Sequence, residues 1–241
     1  DYGGCSSRKV VLVARTDLSY ARAVLAEAEA RVAARPTSVQ TVSGNSALIP
    51  VDSALAELFP HGGLRRGSAI TVKGSTSLAL TLLAEASQSG SWVVVVGMPT
   101  FGLLAAHHWG INFSHTVVIP HPGTDTPAIV AALIDGVDVV LLGEKVALAD
   151  SDRRRLLARA RERGSVLISL QPWPGADVVF TVTQVGWEGI GQGEGCLRGQ
   201  RIQVVRTGRS AASVPTTVDL YLDERTVHLR KSPQPSLALV S

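Results

Sequence analysis

From Leu48 onward the chain alternates between short, unbroken apolar runs and longer stretches with helical spacing. The pattern predicts a short helix at 53–59, then strand 68–73, helix 77–88, strand 92–96, helix 101–109, strand 116–119, helix 127–135, strand 137–142, helix 151–163 and strand 165–170. Strands that are almost continuous Val, Ile and Leu bury both faces, so this part is expected to be a parallel sheet covered by helices on each side. After Gln171 the pattern changes. Residues 177–185, 201–206, 217–222 and 226–229 alternate apolar and polar positions, as antiparallel strands added at one sheet edge would. Upstream, residues 17–34 read as a helix capped by Asp17 or Ser19 and stopped at Arg35-Pro36. Its Leu18, Leu25 and Val32 form one narrow apolar stripe, expected to face this domain or a second copy. Residues 36–47 read as a linker and 232–241 as a tail containing Leu237 and Leu239.

Composition narrows the class. With 241 residues, 45% hydrophobic and 18% charged, the chain can bury one substantial core. No apolar run reaches the ~18 residues that a membrane span needs, and no secretory leader is visible, so a soluble, cytoplasmic protein is expected. Cys5 and Cys196 are the two cysteines and have no metal-ligand spacing, which favours reduced thiols. The net charge is +3, and 19 of the 23 basic residues are Arg. That bias fits an arginine-rich proteome as readily as a nucleic-acid partner.

The chemistry centres on Thr71-Val-Lys-Gly-Ser-Thr-Ser-Leu-Ala-Leu-Thr81. A phosphate-binding loop has the pattern G-x-x-x-x-G-K-[ST], in which glycines open the backbone around the phosphates and Lys reaches the terminal ones. Gly74 and Thr81 keep the outer spacing, but Ala79 and Leu80 replace the second Gly and the Lys. Gly74, Ser75, Thr76, Ser77 and Thr81 are therefore candidates for a degenerate nucleotide loop. By itself the segment is equally an ordinary strand, turn and helix.

The order of landmarks over residues 48–207 resembles the core of RecA-type recombinases. His61-Gly-Gly-Leu-Arg-Arg-Gly67 is similar to that family's lead-in to its first core strand, and Trp109-Gly-Ile-Asn112 to a turn after a later helix. The resemblance implies an acid after strand 92–96, where Pro99 stands, and a metal-side Asp after strand 137–142, where Gly143 stands. Glu144 comes one residue late and, on a strand, would point to the opposite face. Gln171 matches the family's nucleotide-sensing glutamine. Each missing charge removes about 1.5–3 kcal/mol of hydrogen bonding to an ionised ligand, so no route to ATP hydrolysis and no cofactor are expected. The segments after strands 137–142 and 165–170 are also too short for the family's DNA-binding loops.

This combination, with Trp187-Glu-Gly-Ile-Gly-Gln-Gly-Glu-Gly-Cys-Leu-Arg-Gly-Gln-Arg201, looks like the actinobacterial ImuA-prime family. The resemblance implies a non-catalytic adaptor of a DNA-damage-inducible translesion mutasome, working with an ImuB-like protein and an error-prone polymerase. It divides the chain into an N-terminal helix and linker (1–47), a degenerate RecA-like core (48–207) and a C-terminal extension (208–241). Rival readings are a weak ATP-binding switch, a DNA-binding RecA paralogue and a SulA-like division inhibitor.

Several other groups are candidates for contact. Arg153, Arg154, Arg155, Arg159, Arg161 and Arg163 share one predicted helix. They read either as a face for phosphate or an acidic partner, or as a solvated outer face. Arg198, Arg201, Arg206 and Arg209 have no acid between them and lie by the Gly-rich segment, and they read as a DNA or partner contact. Trp173 and Trp187 read as interface anchors or as covers of the antiparallel edge. His107, His108, His115 and His121 lack the carboxylate or Cys that a tetrahedral metal set needs, so no metal is expected. Self-association is expected through the N-terminal stripe.

Overall fold

A computed structural model describes residues 11–12, 47–190, 195–223 and 226–230, the side chains of 11, 12, 190, 195–198 and 230 excepted. The strands are β1 (Val11–Leu12), β2 (Leu48–Ile49), β3 (Leu64–Arg65), β4 (Ala69–Lys73), β5 (Val93–Val96), β6 (Thr116–Ile119), β7 (Val139–Leu142), β8 (Val166–Ser169), β9 (Val178–Ile190), β10 (Gly195–Gly208), β11 (Thr216–Asp223) and β12 (Thr226–Arg230). The helices are α1 (Ser53–Ala56), α2 (Thr76–Gln88), α3 (Leu103–His108), α4 (Thr126–Gly136) and α5 (Asp150–Arg163).

Ten strands form one sheet in the order β1-β6-β5-β7-β8-β4-β9-β10-β11-β12, while β2 and β3 make a small antiparallel pair of their own. Every neighbouring pair from β1 to β9 is parallel, and β9 to β12 are antiparallel. The fold is thus α/β, with a large mostly parallel mixed sheet flanked by helices. The β4 strand is central, with four or more strands on each side. Three differences have physical causes. The first strand of the alternating run, β9, pairs in parallel with β4 over Val178–Thr181 before it turns antiparallel to β10, so the change of direction falls between β9 and β10. The β1 strand, a two-residue edge pairing, carries too few residues to give a periodic signal. The expected boundary at 207 is not a packing boundary, because β11 and β12 continue the same sheet.

Alternation sorts the side chains into two cores. Val93 and Val95, Val139 and Leu141, and Val166 and Ile168 face α1, α2 and α3, together with Ile70 and Val72. Val94, Val96, Val140, Leu142 and Leu167 face α4 and α5. Helix α2 runs buried from Leu78 through Leu83, which explains why its sequence is apolar on every side. Helix α5 is the opposite case. It buries Leu156, Leu157 and Ala160 and turns its arginines outward, Arg153 excepted. The expected helix at 17–34, with Leu18, Leu25 and Val32, and the tail with Leu237 and Leu239 lie outside the described residues.

Candidate functional site: the carboxyl edge of the parallel strands

In a parallel α/β sheet, ligands bind outside the carboxyl ends of the strands. At this edge the exits of β4, β5, β7 and β8 lie side by side.

The β4 exit is a two-residue turn. Ser75 caps α2, its hydroxyl accepting from the Leu78 N–H at 3.1 Å, and Thr76 is already helical. Gly74 adopts φ +84°, and a Cβ there would stand 3.2 Å from the Val182 carbonyl oxygen. Positions 79 to 81 therefore fall inside the helix, past its first turn. Leu80 is buried in the α2-side core, and the Thr81 hydroxyl donates to the Leu78 carbonyl at 2.8 Å. Gly74 and Thr76 are exposed and Ser77 is half-buried, so of the five loop candidates these three face outward.

The β5 and β7 exits pack backbone against backbone. Gly97 holds φ +71°, and a side chain on it would strike Val146. A Cβ on Gly143 would meet Met98 and the Gly97 carbonyl, with the Gly97 carbonyl carbon at 2.8 Å. The Gly143 N–H donates to the Val96 carbonyl at 2.8 Å. Position 143 is glycine because two strand exits touch there, leaving no room for a carboxylate.

The β8 exit is tied down by side chains. The Gln171 amide donates to the Glu144 carbonyl and accepts from Arg153 Nη2 at 3.2 Å. Arg153 Nη1 donates to the Pro172 carbonyl at 2.7 Å, and its guanidinium carbon lies 5.9 Å from the centre of the Trp173 ring. Trp173 is buried, and its backbone N–H donates to the Thr71 hydroxyl at 3.3 Å. An open groove of about 460 Å³ remains over this brace, lined by residues 144–149 with Arg153 and Gln171. Both functions of the Gln171 amide are used within the protein.

The candidate arginines separate by environment. Arg153 belongs to the brace. Arg159 and Arg163 converge on Asp135 of α4, and the Arg159 hydrogen bond holds the Asp135 carboxyl below its ordinary range. Arg206 is half-buried and donates to the Val214 carbonyl at 3.0 Å and the Thr216 hydroxyl at 2.8 Å. Arg201 pairs with Glu188 across β9 and β10. Beside that pair Tyr221 lies over Gly199, and burial, then the Glu188 and Asp223 charges, push its hydroxyl pKa up. The Arg198 side chain is outside the described residues. Arg154, Arg155, Arg161 and Arg209 are exposed and form no ion pair among the described residues.

The tryptophans also part company. Trp173 is interior, whereas Trp187 is 56% exposed on the β9–β10 hairpin. A register shift between Gln203 and Val204 leaves Thr183 as an extra residue, which changes the alternation of β9. Val185 and Trp187 therefore pair with Ile202 and Gln200 and stand on the α2 side of the sheet. Trp187 is among the sequence candidates for an interface; Val185 beside it is not, because strand alternation does not signal the bulge. Among the described residues no group of three His, Cys, Asp or Glu side chains is placed to hold a metal ion, and no helix is long and apolar enough to cross a membrane.

The fold and this edge define an α/β protein whose strand exits are closed by glycine contacts and a Gln-Arg-Trp brace. The MT3502 N-terminal domain family matches residues 57–175. The chain is 35% identical to Rv3395c, an uncharacterized protein of Mycobacterium tuberculosis, in a match that covers 65% of this chain and 82% of that relative. The chain belongs to this family.

Proposed function

We propose that the protein is a non-catalytic, RecA-like adaptor of the ImuA-prime type, serving a DNA-damage-inducible translesion mutasome by binding an ImuB-like partner. The observation that carries this reading is the closed carboxyl edge. The position where the resemblance implies a metal-side Asp is Gly143, packed on the Gly97 carbonyl, and the position of the phosphate Lys is Leu80, inside the core. An edge stabilised by such contacts supports a scaffold role better than a turnover site. The central β4, the run of parallel strands and the position of Gln171 beside β4 are all compatible with the RecA-like resemblance.

An adaptor needs a contact surface. Val185 and Trp187, 48% and 56% exposed, project on one face of the β9–β10 hairpin past the end of β4. An exposed Trp of this kind anchors protein interfaces, and Val185 adds apolar surface beside it. The test is co-elution of the purified protein with an ImuB-like protein, repeated with Trp187→Asp. Binding lost in the variant, with no thermal shift from millimolar Mg-ATP in either protein, is the expected result. Occupancy at a hundredfold excess over Kd would add about 2.7 kcal/mol, so an ATP-dependent shift favours a nucleotide switch instead.

A further inference from the structure

Three arginines without an acidic partner come together on the flank of α5 that faces β9 and β10. A Cβ on Gly175 would stand 3.3 Å from Arg209 Nη1 and 3.7 Å from Leu157 Cδ2, so the Arg209 side chain reaches from the end of β10 to the side of α5. Arg154 and Arg161, three residues before and four after Leu157, lie on that same flank. A Cβ on Gly67 would be 3.0 Å from the Arg161 Cα, which sets this end of the helix on the turn that carries Arg65. Arg65 is 52% exposed and shares Asp177 with the Ala69 N–H. Arg159 and Arg163, by contrast, turn to the other flank and are paired with Asp135.

We infer that Arg154, Arg161 and Arg209 form a binding surface for the phosphate backbone of double-stranded DNA. Guanidinium forks match phosphate oxygens, and arginines with no acid to satisfy them keep those donors for a ligand. Arg154 and Arg161 are two turns apart, roughly 10 Å along the helix axis, a span of about three base steps at 3.4 Å each. Among the described residues the surface has no apolar anchor of the kind that centres a protein interface. The exposed large apolar side chains Leu104, Val185, Trp187 and Val214 stand on other elements. With no aromatic platform for bases among the described residues, duplex is favoured over single strand and sequence is not read. The surface is on the α5 side of the sheet, whereas Trp187 is on the α2 side, so this inference does not depend on the adaptor reading.

The experiment titrates a fluorescently labelled 25-base-pair duplex with the full chain and follows anisotropy between 50 and 200 mM salt. Three phosphate contacts predict a log Kd against log salt slope of about 3 in magnitude. Arg154→Ala, Arg161→Ala and Arg209→Ala should each lower the slope by about one. The triple variant should bind at least tenfold more weakly at 50 mM salt with an unchanged thermal midpoint. Arg155→Ala, which removes an exposed arginine from outside this flank, should stay within twofold of the parent. Three results overturn the inference: no binding at 50 mM salt, an Arg155→Ala loss equal to the others, or a polyglutamate peptide that binds as tightly as the duplex. The last would assign the surface to an acidic protein segment. If the triple variant fails to fold, the single variants decide the matter by the same slopes. Failure here leaves co-elution with the ImuB-like partner untouched.

Discussion

At the scale of single residues, two positions carry the reading of the carboxyl edge, and each makes a prediction. Gly143→Asp inserts a carboxylate where the Gly97 carbonyl and Met98 already sit. Overpacking of this kind costs about 1–3 kcal/mol, and an unpaired buried carboxylate adds to it. The urea midpoint of the variant should fall by at least about 2 kcal/mol equivalent, and an unchanged midpoint means that the two exits do not touch. Leu80→Lys tests the loop. Because Leu80 is 4% exposed within α2, the ammonium would enter the core and cannot reach a phosphate at the helix start. The expected outcome is a loss of more than about 3 kcal/mol with no gain of ATP-dependent thermal shift. A Lys variant that binds Mg-ATP would reopen the nucleotide-loop reading. The substitutions themselves are legible from spacing alone, since Leu80 and Gly143 stand where charged residues belong in the resembled pattern. Their physical reason is not, because contact between the β5 and β7 exits is a three-dimensional fact.

At the scale of elements, α4 and α5 are joined by Asp135 with Arg159 and Arg163. The Arg159 hydrogen bond, the largest cause, depresses the Asp135 pKa in the folded state. A depressed folded pKa stabilises the protein above the unfolded carboxylate value of about 3.9. That contribution is lost as pH falls below this value and through the folded one. With Asp135 31% and Arg159 43% exposed, solvent screening limits it to less than about 1 kcal/mol. Asp135→Asn should therefore lower the urea midpoint slightly at pH 7 and by nothing measurable near pH 2. A deficit that persists at acid pH would show that the site acts through packing. Elements were also where sequence patterns served best and worst. Continuous apolar runs marked β4 to β8 to within a residue or two, because strands buried on both faces admit little else. Alternation marked β9 as far as Val185 but gives no sign of the bulged residue at Thr183, which inverts every side chain beyond it. The brace of Arg153, Gln171 and Trp173 joins α5 to the β8 exit, and neither periodicity nor spacing signals such a contact.

At the scale of the whole molecule, the issue is where the folded unit ends. The resemblance ends near residue 207 and implies an extension that could be removed there, yet β11 and β12 are integral to the ten-stranded sheet, as the alternating pattern of 217–222 and 226–229 suggests. Their Val218, Leu220, Leu222 and Val227 are 8%, 1%, 0% and 7% exposed and pack in the same core as α2. Burying each such side chain is worth about 1.5–3 kcal/mol, or about 6–12 kcal/mol for the four. Whole domains are stable by only about 5–15 kcal/mol. A chain ending at Ser210 should therefore lose cooperative thermal unfolding altogether, and any loss of partner binding it showed would report unfolding. A chain ending at Arg230 keeps all twelve strands of the described residues and should melt as the full protein does. Partner co-elution with this longer fragment then separates two surfaces: retention assigns the contact to residues 1–230, the Trp187 hairpin among them, and loss assigns it to residues 231–241 with Leu237 and Leu239. A protein ending at Ser210 that still melted cooperatively at the parent midpoint would show that β11 and β12 are dispensable, and would restore the boundary near residue 208.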